Sequence, residues 1–361
     1  MKPTRQLHDL GQSLWLDNIT RSLLTNGTLQ RYISEFSITG LTSNPTIFNK
    51  AIREANSYDA AIRRLADKGQ SGEALFFELA IEDLRHAADL FRSVHDSTGG
   101  VDGWVSLEVS PLLAHDTAGS IAAAARLHAA AQRTNLFIKI PGTPEGVPAI
   151  EASIFAGVPV NVTLLFSRDQ YVAAAQAYLR GIERRIAAGL DPNVASVASI
   201  FVSRWDVAVK DKVPPPLRNR LGIAVAKQTY RAYRELLASP QMRELAAAGA
   251  RPQRLLWAST GTKDPDVSET LYIESLAAPD TTNTMPDKTQ HAFAEHGALK
   301  GVLPVDGGNA EQELAEFTRT GIDVASLAAQ LQREGAESFD RSWHDLIDCI
   351  AAKSATLKKA V

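Results

Sequence analysis

The 361-residue chain is 45% hydrophobic, carries a formal net charge of −3 and contains one cysteine. That balance excludes a general electrostatic attraction to nucleic acid or an acidic membrane, so any anion site must be local, and it excludes an intrachain disulfide or cysteine-rich metal centre. Residues Met1–Gln12 lack the apolar core of a secretory leader, and no run approaches the ~18 apolar residues of a membrane span, so a cytoplasmic protein is expected.

Short Val/Ile/Leu-rich runs alternate with stretches of helical period. In chain order the predicted strands are Leu14–Ile19, Ile38–Ser43, Trp104–Val109, Leu136–Ile140, Val158–Leu165, Val194–Val202, Arg254–Ser259 and Thr281–Met285. Near-continuous apolar runs suit parallel strands covered on both faces, and strands alternating with helices imply βαβ units. Eight of them predict a single (β/α)₈ barrel domain over residues 1–361, with extra helices inserted and at the C-terminus.

The connections carry helix signals. Asn44-Pro45 and Thr143-Pro144 fit an N-cap followed by proline at the first helical position. Asn44–Gly103 holds at least two helices, with Phe77, Ile81, Leu84, Ala88 and Phe91 on one stripe. Asp116 reads as a cap for a helix over Thr117–Gln132, and Ser167 with Gln170 forms a capping box. Arg204–Pro252 holds long helices, Asp264–Leu276 reads as a helix, and Ser326–Lys359 closes the chain as helix, with Cys349 as core filler. Gly301–Gly307 follows no clear pattern.

In such a barrel, functional groups sit at the C-terminal ends of strands. The polar residues there are Asp17, Thr42, Asn44, Glu108, Lys139, Asn161, Thr163, Ser199, Arg204 and Ser259. Lys139 is the sharpest signal. It shares one strand face with Phe137 while Leu136, Ile138 and Ile140 share the other. Burial disfavours an ammonium ion and lowers its pKa, and a neutral amine attacks a carbonyl to form an imine. A structural lysine paired to Glu108 on the next strand fits the same pattern. Glu108 suits proton shuttling at an imine, or simple charge pairing. Asp17 suits removal of a hydroxyl proton, or a helix cap; Asn44 has the same second reading. Thr163 shares a face with Asn161 and is otherwise an ordinary strand threonine. Arg204 and the turn Ser259–Lys263 follow strands six and seven, where barrels commonly hold phosphate; Arg204 would grip it bidentately and Lys263 as a point charge, and as lone residues both read equally as surface charges. The eight histidines show no metal spacing, and there is no P-loop or dinucleotide fingerprint.

The stretches WLDNI (15–19), GLTSNPTIF (40–48), VSLEVSP (105–111), FIKIPGTPEG (137–146), NVTLLFS (161–167), ASIFVSRWD (198–206) and TTNTMP (281–286) resemble the transaldolases. They occur in family order, and the tail from Gly335 to Ile347 is similar to the long bacterial form. The resemblance implies a class I, Schiff-base transferase with no metal or organic cofactor, acting on sugar phosphates in the non-oxidative pentose phosphate pathway. By motif match, Lys139 is the imine lysine and Glu108 the acid/base acting through a water held with Thr163. Asp17 handles the C4 hydroxyl proton. Asn44, Thr42, Asn161 and Ser199 orient the dihydroxyacetone moiety, and Arg204 and Ser259 bind phosphate. The sequence departs from the family at Gly142-Thr143-Pro144, where many members have Ala-Thr-Trp. It also departs at Lys263, where a shorter form has an arginine closer to the serine. Family members are often dimers, so a homodimer is a further expectation. The rivals are a Schiff-base aldolase that releases free dihydroxyacetone and a non-catalytic sugar-phosphate sensor.

Overall fold

The computed structural model describes residues 1–359. Eight parallel strands close into a barrel in sequence order: β1 (Ser13–Asp17), β2 (Ile38–Thr42), β3 (Trp104–Glu108), β4 (Leu136–Pro141), β5 (Val160–Leu165), β6 (Ser196–Phe201), β7 (Arg254–Ala258) and β8 (Thr281–Met285). All eight expected strands form, displaced by at most two residues at an end. Alternation along each strand sorts the side chains: Leu136, Ile138 and Ile140 of β4 join the core shared with the helices, while Phe137 joins the interior cluster.

That interior has a floor. Trp104 stacks on Phe137 with centroids 4.1 Å apart, and Trp15 lies 6.0 Å from Phe137. Lys139 follows Phe137 on the same face of β4, one layer nearer the C-terminal end, so its stem rises from an aromatic base. The floor leaves no room at Gly40 in β2: a Cβ there would lie 2.6 Å from Trp15 Nε1 and 2.7 Å from the Trp104 carbonyl. Such overpacking forces strand displacement. Gly40→Ala is expected to lower unfolding stability by about 1–3 kcal/mol or more, read as a shifted urea midpoint; an unmoved midpoint would show that the floor yields.

The helices match expectation in part. The capping box forms at Ser167 and Gln170, Asp116 caps Thr117–Ala131, and Asn44 Oδ1 accepts from Ile47 N at 3.0 Å at the start of Pro45–Glu54. Thr143-Pro144 does not begin a helix. Thr143 Oγ1 donates to the Ala114 carbonyl and accepts from Gly146 N, so it ties a turn, and the helix spans Gly146–Phe155. Asp264–Leu276 is helical only over Leu271–Ser275. Asp264 accepts from Asn219 at 3.0 Å and from Asp266 N, and faces Lys210 at 3.6 Å; these ties hold the first half as a loop. Gly301–Gly307 forms no helix or strand, and Cys349 is half-buried at the core's edge. The C-terminal helix spans Val324–Lys359. No described helix is long and apolar enough to cross a membrane.

Candidate active site

Strand register places the chemistry. Glu108 on β3, Lys139 on β4 and Asn161 on β5 are successive lateral partners, so three polar side chains project inward at one level. Lys139 Nζ lies 3.4 Å from Glu108 Oε2 and 3.3 Å from the Ser43 carbonyl, with Lys139 only 6% exposed. The amine therefore points into the barrel beside a carboxyl group. Burial pushes the Glu108 carboxyl up, and the Lys139 charge partly opposes it. Glu108 Oε1 is buried with no hydrogen-bond partner, and so is Thr163 Oγ1.

Asp17 closes β1 beside its register partner Thr42 and accepts the Thr42 hydroxyl at 2.8 Å. Thr42 also meets Thr284 at 2.8 Å. Asp17 does not cap the next helix; Thr20 does, accepting from Leu23 N. Burial raises the Asp17 pKa, opposed first by the Lys139 charge and then by the Thr42 hydrogen bond. Such a carboxylate is poised to take a proton. Asn44 keeps its capping bond, yet its side chain also borders the site.

Asn161 is fully buried with both ends of its amide committed: Nδ2 donates to Ser106 Oγ at 3.1 Å, and Oδ1 accepts from Ser199 Oγ at 2.7 Å. It orients Ser199 from one layer down. Arg204 opens the helix Ser203–Val209 after β6, half-buried, and no carboxylate pairs with it among the described residues. Burial lowers its pKa. Its guanidinium lies 5.2 Å from the Phe201 ring centroid, a cation on an aromatic face with its donors free. Ser259 sits at φ 56° and meets Ser203 Oγ at 2.8 Å. That left-handed backbone, uncommon for serine, turns the chain after β7 across the barrel end. Leu164, beside Thr163, has φ 58°.

A cavity of about 290 Å³ at the C-terminal ends of the strands brings together Asp17, Thr42, Asn44, Lys139, Thr163, Ser199, Arg204, Ser259 and Lys263. Glu108 and Asn161 do not line it; they stand behind Lys139 and Ser199. An amine, two carboxyls and an unpaired guanidinium thus converge where barrel enzymes act.

A family model described as "Transaldolase/Fructose-6-phosphate aldolase" matches residues 14–350. The chain belongs to this family. A transaldolase of Parafrankia sp. (strain EAN1pec) is 45% identical over 97% of both chains. One of Saccharopolyspora erythraea is 45% identical over 95% of each. One of Thiobacillus denitrificans is 44% identical over 96% of this chain and 99% of its own.

In this transaldolase-family barrel a larger cavity, about 820 Å³, lies at the opposite, N-terminal end, around Ser13, Asp102, Trp104 and Arg254. Arg254 there faces Asp102 at 3.6 Å and donates to Ser13 at 2.8 Å. Arg254 and Asp102 there answer one another and the cavity offers no lysine amine, so size alone does not mark the site. Among the described residues no group of three His, Cys, Asp or Glu could hold a metal ion. The side chains lining the C-terminal cavity that were not singled out beforehand include Thr284, inside the TTNTMP stretch, Phe201, inside ASIFVSRWD, and Phe339, inside the tail from Gly335 to Ile347. The inward alternation of β8 was a usable signal for Thr284.

Proposed function

We propose that the protein is a transaldolase that moves a dihydroxyacetone unit from sedoheptulose 7-phosphate to glyceraldehyde 3-phosphate, giving erythrose 4-phosphate and fructose 6-phosphate. The observation that carries the reading is the Lys139 amine, enclosed in the barrel 3.4 Å from Glu108 and in one cavity with an unpaired Arg204. Relatives over 40% identical along nearly the whole chain bear the same name.

Lys139 attacks the ketose C2 carbonyl, and Glu108, acting through a water held with Thr163, protonates the departing hydroxyl as the imine forms. The free acceptor positions on Glu108 Oε1 and Thr163 Oγ1 support that pairing. Asp17 takes the C4 hydroxyl proton, the C3–C4 bond breaks, and its electron pair moves into the protonated imine. The aldose leaves, and an acceptor aldehyde is attacked by C3 in the reverse sequence. Thr42, Asn44 and Ser199, backed by Asn161, hold the hydroxyls; Arg204 and Ser259 hold the phosphate, with Lys263 as second cation. The reading places the protein in the cytoplasm as a homodimer.

The family description also names an aldolase, which would release the three-carbon unit. Supplying fructose 6-phosphate with erythrose 4-phosphate distinguishes them. Acceptor-dependent sedoheptulose 7-phosphate is the expected product; free dihydroxyacetone formed at the same rate with or without acceptor would overturn the transferase reading.

A further inference from the structure

The helix Val324–Lys359 supplies a wall of the site that the eight strands do not. Gln332 Nε2 donates to the carbonyls of Gly142 and Leu164, both at 2.9 Å, fastening the helix to the ends of β4 and β5 where the Leu164 backbone is left-handed. One turn on, Gly335 admits the site's cation: a Cβ there would lie 3.3 Å from Arg204 Nη1 and 3.0 Å from Leu164 Cδ2. Farther along, Ser342 accepts from Thr46, and Trp343 packs edge-on against Phe76 at 5.1 Å. Phe339 lies between these fastenings. Its ring centroid is 5.9 Å from Lys139 Nζ and 5.7 Å from the Arg204 guanidinium carbon, and it is 6% exposed while lining the cavity. Its place is set by contacts on both sides, so it is a fixed surface.

A ketose phosphate bound by C2 to Lys139 and by its phosphate to Arg204 runs its chain between those two atoms. C3 lies on that path, and a ring within 6 Å of both anchors covers it. After C3–C4 cleavage, C3 carries the electron pair of the enamine. Two fates compete. In transfer, C3 bonds to the acceptor carbonyl carbon and the carbonyl oxygen takes a proton. In release, C3 takes a proton from solvent, water then adds at C2, and Lys139 leaves as free dihydroxyacetone departs. Both fates end in hydrolysis at C2, so protonation at C3 is where they part. Keeping proton donors off C3 while leaving C2 open on the Glu108 side favours transfer.

We infer that Phe339 is a specificity-determining residue of this site, shielding C3 of the lysine-bound three-carbon unit from solvent and so favouring transfer over release. The inference rests on the proposed transaldolase reading. The test runs fructose 6-phosphate with erythrose 4-phosphate in D₂O. It measures C3-deuterated free dihydroxyacetone per sedoheptulose 7-phosphate formed, in wild type, Phe339→Ala and Phe339→Leu. The ratio is expected to rise about tenfold in Phe339→Ala, equivalent to about 1.4 kcal/mol of barrier difference, and about two- to threefold in Phe339→Leu, which keeps most of the apolar bulk. A ratio per turnover is blind to an inactive fraction of protein, and the leucine variant preserves packing if the alanine variant does not fold. Ratios equal to wild type in whichever variants fold overturn the inference. A wild type that makes no sedoheptulose 7-phosphate is a different result, and sinks the transaldolase reading itself.

Discussion

Lys139→Met is expected to lose all borohydride-trappable sugar adduct and to lower transfer on the order of 10⁴-fold or more, the scale seen when a covalent nucleophile is removed. Methionine keeps the length and apolar bulk of the stem above Phe137, so cavity formation is not the cause. An adduct on any other lysine of the variant or the wild type would refute the assignment. The substitution also has a stability signature. Glu108 loses the cation that pulls its carboxyl back toward the ordinary range, so its folded pKa climbs further above the unfolded value. A group raised in the folded state contributes stability that is fully present below its unfolded pKa and is lost as pH rises through its folded pKa. Lys139→Met is therefore expected to be destabilised relative to wild type more at pH 8 than at pH 5, read in thermal melts at the two values. The opposite ordering would mean that Glu108 is not held in a dry site. Breaking a buried pair by removing one partner costs roughly 3–5 kcal/mol when the survivor stays charged, and less when it can protonate.

The barrel was legible because its strands are buried on both faces and read as apolar runs, and the lysine because it interrupts one of them. Register then did what spacing along the chain cannot. Glu108, Lys139 and Asn161 come from three strands, and only lateral pairing shows them at one level. Asn161 illustrates a limit of reading residues singly: its amide is bonded to Ser106 and Ser199, and it stands behind Ser199, outside the cavity. Phe339 illustrates another. With Trp343, Leu346 and Ile350 it falls on an ordinary apolar stripe, and all four are buried. Nothing local says that one member of that stripe faces the barrel mouth while the others face Phe76 and the outer core. The two misjudged helix starts have a common cause. Thr143 and Asp264 are residue types that cap helices and equally tie turns, and the partners that decide between the two are distant: Ala114 for the first, Asn219 and Lys210 for the second.

Asp17→Asn separates imine formation from carbon–carbon cleavage. The amide is isosteric, and its Oδ1 can still accept the Thr42 hydroxyl that holds Asp17 at 2.8 Å, so the mouth of the barrel keeps its shape. What is lost is a buried base whose pKa stands above the usual carboxylate value because water is excluded around it. With Lys139 and Glu108 intact the ketose still condenses, but the C4 hydroxyl proton has no acceptor and C3–C4 stays whole. Transfer is expected to fall about 10²- to 10⁴-fold, the usual weight of a positioned general base. The trapped species should change with it. After borohydride, wild type given fructose 6-phosphate carries mainly a three-carbon adduct on Lys139, and Asp17→Asn carries the whole ketose phosphate. The same base predicts a pH profile. Wild-type turnover at saturating donor declines as pH falls through the raised Asp17 value, because protonated Asp17 cannot accept the proton, while the yield of trapped adduct on that limb holds. If Asp17→Asn instead showed a three-carbon adduct at wild-type yield, cleavage would not depend on this carboxylate, and the base would have to be sought elsewhere around Lys139, with Glu108 the first group to test.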